Sequence, residues 1–135
     1  MQTLQKYSPT ILRIGLSLVF LWFGVDQIIH PNAWLGFIPD WVVSLTSISA
    51  PTIVYLNGLF EIIFGTALLF GIFTRFVAFV LFLHMADITI MVGLDSIGVR
   101  DFGLSIAMLV VWINGSDLFS LDNFIRGSSP VSQNS

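Results

Sequence analysis

Three ionisable side chains lie deep inside otherwise apolar stretches of this chain: Glu61, His84 and Asp87. An ionisable group in hydrocarbon is expensive unless it is paired, so each one needs a physical explanation. Asn57, Glu61 and Gly65 recur at i, i+4 and i+8 and stack on one face of a helix. Glu61 follows Pro51 by about ten residues, which puts it roughly 15 Å deep, near the middle of a bilayer. His84 and Asp87 are one turn apart at similar depth, with Val80 and Met91 extending their stripe. In an earlier stretch Arg13, Ser17, Phe20, Gly24 and Gln27 share a face through 4-3-4-3 spacing. Glu61, His84 and Asp87 are therefore expected to converge inside one bundle, with Asn57 and Arg13 in support. Two carboxylates and an imidazole in a low dielectric shift one another's proton affinities, and such a set can hold a proton or hydrogen-bond the carbonyl of a quinone-like ligand. The simpler alternative is that these groups satisfy one another and set helix register. No metal site is expected. His84 has no second histidine at its depth, since His30 lies at the outer end of the first stretch, which argues against a bis-histidine haem. No cofactor is evident beyond the quinone that the polar set could accept.

Four apolar segments must position these groups, at about 9–29, 51–72, 75–94 and 101–118. Each has about the length needed to cross 30 Å of hydrocarbon at 1.5 Å per residue. Pro9 and Pro51 suit the first turn of a helix, where a missing N–H costs nothing. On the fourth segment Asp101, Ser105, Met108 and Trp112 line one side, and Asn114, Gly115, Ser116 and Asp117 make its end irregular. Hydrophobic residues make up 56% of the 135, only 10% are charged, and mean hydropathy is +0.92. A soluble domain of this size would leave much of that apolar surface in water. The expected fold is thus all-α, an integral membrane four-helix bundle occupying 1–126 as one domain, with a disordered C-terminal tail over 127–135. The first segment reads as a retained span, because its apolar region is long and carries Arg13. A net charge of −3 without a basic run excludes nucleic-acid binding, and the absence of cysteine excludes disulfides and thiol chemistry within this chain.

The connections differ in character. Gly71 to Arg75 is a tight turn that imposes an antiparallel hairpin, and a short polar segment from Asp95 to Asp101 joins the last two spans. The first connection, His30 to Ala50, carries Trp34, Phe37 and Trp41 at helical spacing. It reads as a short amphipathic element at the headgroups, where indole rings prefer to sit. Anchoring is its simplest role, and a lid over a substrate is the alternative. Lys6, Arg13, Arg75 and Arg126 fall on one side and Arg100 on the other, so the positive-inside rule places both termini in the cytoplasm of a cell whose inner membrane holds the chain.

Several short runs are familiar together: Arg13-Ile14-Gly15, Phe20 to Gly24, Asn57-Gly58-Leu59-Phe60-Glu61 followed by Gly65 and Gly71, Thr74-Arg75, and Ser120-Leu121-Asp122. In this the chain resembles the DoxX family of small four-helix membrane proteins, from about Arg13 to Asp122. The resemblance implies a four-helix bundle connected with membrane redox chemistry, as in the small subunit of thiosulfate:quinone oxidoreductase, and it implies that Arg13, Glu61 and Arg75 are the family's polar positions. Asp26-Gln27 depart from the pattern, where a basic residue is common, and His84 and Asp87 match no family motif. The reading that follows is a subunit of a membrane redox system that engages quinone or a redox partner. The alternative is a non-enzymatic scaffold or assembly subunit of a larger complex. Either way the expected partners are the lipid bilayer and other proteins, or further copies of this chain.

Overall fold

The computed structural model describes residues 1–127, so the tail expected to be disordered lies outside the described residues apart from Gly127. In chain order the elements are α1 (Gln2–Gln5), α2 (Ser8–Ile29), a 3-10 helix η1 (Pro31–Phe37), α3 (Asp40–Thr46), α4 (Ala50–Phe70), α5 (Thr74–Val92), α6 (Ser96–Asn114) and α7 (Leu121–Gly127). No strand occurs among the described residues, and α2, α4, α5 and α6 belong to four helices long and apolar enough to cross a membrane. The fold is an all-α four-helix bundle.

Local sequence explains most of the helix ends. Pro9 and Pro51 sit in the first turns of α2 and α4. Gly71, at φ +67°, ends α4 in the left-handed region. There the Gly71 N–H donates to Leu68 O and the Ile72 N–H to Ala67 O, the paired bonds of a Schellman stop. The fourth spanning helix is shifted from its expected range. It begins at Ser96, because the Asp95 carboxylate accepts the Ile97 and Gly98 N–H groups and caps it. It ends at Asn114, where Gly115 takes φ +73°. What reads in sequence as a polar connector and a long last span is a capped helix followed by a turn.

The four helices associate as two close pairs, α2 with α4 and α5 with α6, and the pairs meet more lightly along a seam. Gly24 and Gly58 set the first pair. A Cβ on Gly24 would lie 2.7 Å from Gly58 O, and one on Gly58 would lie 2.9 Å from Gly24 O, so the two backbones touch where side chains would intervene. Across the seam, Leu16, Phe20, Leu68, Ala78, Leu81, Met85 and Met108 form the buried core. Most come from the half of the bundle that carries the termini, and Met85 extends the core to the other half. Lipid is as apolar as leucine, so this core holds by close contact rather than by exclusion of water. Outward-facing Trp22, Ile63, Phe76, Leu83 and Ile90 leave an apolar exterior suited to acyl chains.

The segment after α6 folds back against the α4–α5 turn. The Asp122 carboxylate accepts the N–H groups of Phe73 (2.8 Å) and Thr74 (2.7 Å), and the Asp122 N–H donates to Gly71 O (3.0 Å). Phe73 adopts φ +47°, unusual for a non-glycine residue, and the Asp122 contact holds it there. Burial would raise the Asp122 carboxyl, but the Thr74 and Phe73 donors and nearby Arg126 bring it below the usual carboxylate value.

Candidate functional site

In the half of the bundle away from the termini the helices do not close on one another. A cavity of about 270 Å³ opens there, walled by apolar and aromatic side chains, with Glu61 and His84 at its inner end and Trp34, Met91 and Ile97 further out. Glu61 stands eleven residues after Ala50 and nine before Phe70, at the middle of α4. Its side chain is almost wholly buried, at 3% exposure.

Three neighbours meet the Glu61 carboxylate. Gln27 donates from Nε2 to Oε2 at 3.0 Å, Asn57 donates from Nδ2 to Oε1 at 3.2 Å, and His84 Nε2 lies 3.3 Å from Oε1. Asn57 Nδ2 also reaches Gln27 Oε1 at 2.7 Å, which closes the set into a ring of three side chains. The Phe60 ring packs on the imidazole with centroids 4.6 Å apart. With Glu61 ionised, His84 donates from Nε2 and presents Nδ1 as an acceptor. With Glu61 protonated the roles reverse. The two arrangements differ by one proton, which the pair gains or gives up together with a switch of the imidazole tautomer, and the Gln27 and Asn57 amides orient the carboxylate.

Of the five residues expected to converge, Asn57, Glu61 and His84 are in direct contact. Asp87 is exposed; it lines the same cavity, and its carboxylate makes no hydrogen bond to another described residue. Arg13 is elsewhere. It shares a helix face with Gln27 but is fourteen residues away, roughly 20 Å along α2. At 1% exposure its guanidinium pairs with Asp117 (Nε to Oδ2 at 2.5 Å, Nη2 to Oδ1 at 3.2 Å). Its Nη1 donates to Leu68 O (2.8 Å) and Leu69 O (2.5 Å). These carbonyls belong to the last turn of α4, whose acceptors have no partner within the helix. Arg13 is a cap supplied from another helix. Thr10 Oγ1 (2.9 Å) and the Phe119 N–H (3.0 Å) complete the shell around Asp117. Burial pushes the Asp117 carboxyl up, and the hydrogen bonds from Arg13, Thr10 and Phe119 outweigh it and hold the group below its ordinary value.

The interfacial residues also divide. Trp34 and Phe37 lie on η1 and line the cavity, whereas Trp41 on α3 is largely exposed. The Trp34 indole N–H donates to Asp26 Oδ2 at 2.8 Å, Asp26 Oδ1 meets His30 Nδ1 at 2.9 Å, and the Trp34 ring stands edge-on to Phe23. Of the connecting segment, η1 therefore forms part of the cavity wall and Trp41 on α3 does not.

Sequence reasoning left Gln27, Arg100 and Asp101 out of the site. Gln27 was legible as a member of the Arg13 face; its depth relative to Asn57 follows from the Gly24–Gly58 contact, which sets the register of α2 on α4. On the cavity wall Arg100 donates from Nε to Asp101 Oδ1 at 2.8 Å, Nη2 forms an ion pair with the same oxygen at 2.8 Å, and the guanidinium covers the Phe23 ring at 4.8 Å. Arg100 falls in a segment that sequence alone reads as a connector, and Asp101 stands at its junction with the fourth span. Among the described residues no three His, Cys, Asp or Glu side chains come together as metal ligands.

Comparison with known proteins gives one result. Neither a curated protein nor a solved structure matches the chain. A family model described as DoxX matches residues 8–94, well over half of the 135, and takes in Arg13, the Gln27–Asn57–Glu61 ring and His84. With its four spanning helices, the chain is a multi-pass membrane protein that belongs to the DoxX family.

Proposed function

We propose that this protein is a membrane redox subunit whose cavity takes the head group of a quinone, with a redox partner protein supplying the electrons. The observation that carries this reading is a mainly apolar cavity with the Glu61–His84 pair at its inner end, near the middles of α4 and α5. Apolar walls with a few converging polar groups are the usual form of a small-molecule site, and here the polar groups are ones that hold and move protons. His84 offers a ring nitrogen to a carbonyl or hydroxyl. Glu61 stores the proton or releases it, and Gln27 and Asn57 keep the carboxylate oriented. Trp34 and Phe37 cover the ring of the ligand and keep water from the pair.

Charge supports an orientation for this chemistry. Arg13 is internally paired, but Lys6, Arg75 and Arg126 still outnumber Arg100. The termini then face the cytoplasm across an inner membrane, and the cavity opens on the opposite side.

The test is photolabelling of the purified protein in nanodiscs with an azido-quinone, with and without excess unlabelled quinone, and mapping of the adducts by mass spectrometry. Competed label on peptides carrying Trp34 and Met85 to Met91, lost in His84→Phe, is expected. Label spread over lipid-facing residues and not competed would overturn the assignment and favour a scaffold role. With partners present, Glu61→Gln should slow quinone reduction while leaving the protein folded.

A further inference from the structure

A second concave surface lies at the other end of the molecule, between the α4–α5 turn and the segment after α6. It is polar, about 560 Å³ in volume, and lined by Arg75, Arg126, Asn114, Ser116 and Asp122, with Phe73 and Phe76 at its edge. Among the described residues neither the Arg75 nor the Arg126 guanidinium makes a hydrogen bond or an ion pair. The one carboxylate in the cleft, Asp122, is occupied by the Phe73 and Thr74 N–H groups. The cleft therefore presents two cations against one carboxylate whose oxygens are already engaged. Arg75 is also held in place: a Cβ on Gly115 would lie 2.5 Å from its Nε and 3.3 Å from its Cζ, so the guanidinium lies against bare backbone.

We infer that this cleft binds the phosphate of an anionic phospholipid head group. A free phosphate would fit the arginines equally well, but two neighbours favour a lipid. Phe73 and Phe76 are 72% and 64% exposed, and they continue from the rim of the cleft onto the apolar exterior of α5. An acyl chain would lie along them while Arg75 and Arg126 take the phosphate, with Asn114 and Ser116 as additional hydrogen-bonding groups. The cleft stands where α4 and α6 end and α5 begins, and the ends of helices long enough to cross a bilayer are where head groups would meet the chain.

The test compares the intact protein in nanodiscs of phosphatidylcholine alone and of phosphatidylcholine with phosphatidylglycerol, reading the unfolding temperature, together with native mass spectrometry of retained lipid. Phosphatidylglycerol should raise the unfolding temperature and remain bound as a discrete adduct. The double variant R75Q/R126Q should lose both effects, with phosphatidylglycerol binding about fivefold weaker per arginine removed and roughly 25-fold for the pair. Arg126→Gln alone should lose about one such step, which keeps the test valid if Arg75 proves necessary for folding. Lys6→Gln, outside the cleft, should change nothing. An equal response to both lipids, an unchanged response in Arg126→Gln, or stabilisation by inorganic phosphate in phosphatidylcholine alone would each overturn the lipid assignment.

Discussion

Arg13 and Asp117 stand 104 residues apart in the chain, yet the guanidinium and carboxylate meet at 2.5 Å in nearly complete burial. Removing one partner strands the other, so Arg13→Ala or Asp117→Ala should each cost about 3–5 kcal/mol. The paired replacement R13M/D117L should cost less than either single change, because no charge is left behind. Arg13→Lys should not rescue, since an ammonium cannot bridge Asp117 and two α4 carbonyls in one plane. Thermal unfolding in detergent compares the four variants, and additive losses in the double variant would refute the pairing.

Acid should loosen this end first. Asp117 and Asp122 have folded-state pKa values below their ordinary value, so both contribute stability that is complete above the ordinary carboxylate range, near pH 4. That contribution is lost as pH falls through the depressed folded values. Hydrogen exchange in 115–127 should therefore rise at acid pH before exchange in α4 and α5 does. Asp122→Asn should exchange faster already at neutral pH, with a weaker response to acid.

The helix contact at Gly24 should be intolerant of a single methyl. Gly24→Ala places Cβ 2.7 Å from Gly58 O and 2.8 Å from Ile62 Cγ1, and neither backbone can retreat without parting the pair. A loss of about 1–3 kcal/mol is expected, together with weaker competed quinone labelling as Gln27 moves off Glu61. Gly15→Ala meets nothing within 4 Å and should match the parent protein in both measurements.

Trp34→Phe keeps an aromatic ring over the cavity and removes only the N–H that reaches Asp26. Faster release of labelled quinone in a stopped-flow chase is expected, with unfolding temperature little changed. An unaltered release rate would mean that the Asp26 bond does not hold the cover closed.

The bundle was legible because span length and apolar content are properties of single segments. Glu61 and His84 were legible as mid-membrane groups for the same reason: each sits near the centre of its own helix. Arg13 was misplaced because periodicity reports a residue's face and not which neighbour meets it at that depth. Its partner, Asp117, lies in a turn with no periodicity at all. Gln27 needed the register of α2 on α4, which two glycines set and which no single segment reveals. The start of α6 was hidden because Ser96 to Asp101 are polar enough to pass for a loop, and only the Asp95 cap shows otherwise. Several residues that carry the family resemblance, Arg13, Gly71, Arg75 and Asp122, gather where the segment after α6 folds back on the α4–α5 turn and not at the cavity.

The reach from Arg13 to Asp117 also sets an order of events during synthesis. The first span enters the bilayer with its arginine long before the aspartate exists. At ordinary ribosomal rates the interval is on the order of 5–20 s. Until α4 is made the guanidinium can only lean toward the nearby head groups; from then on Leu68 O and Leu69 O can accept from Nη1, while Nε and Nη2 still await Asp117. Insertion of the last helix then brings the carboxylate, and one contact closes the first and last parts of the bundle together. A chain that stopped short of Asp117 would hold the Arg13 cation in the bundle without its carboxylate, so the ion pair is complete only when the chain is made past the last spanning helix.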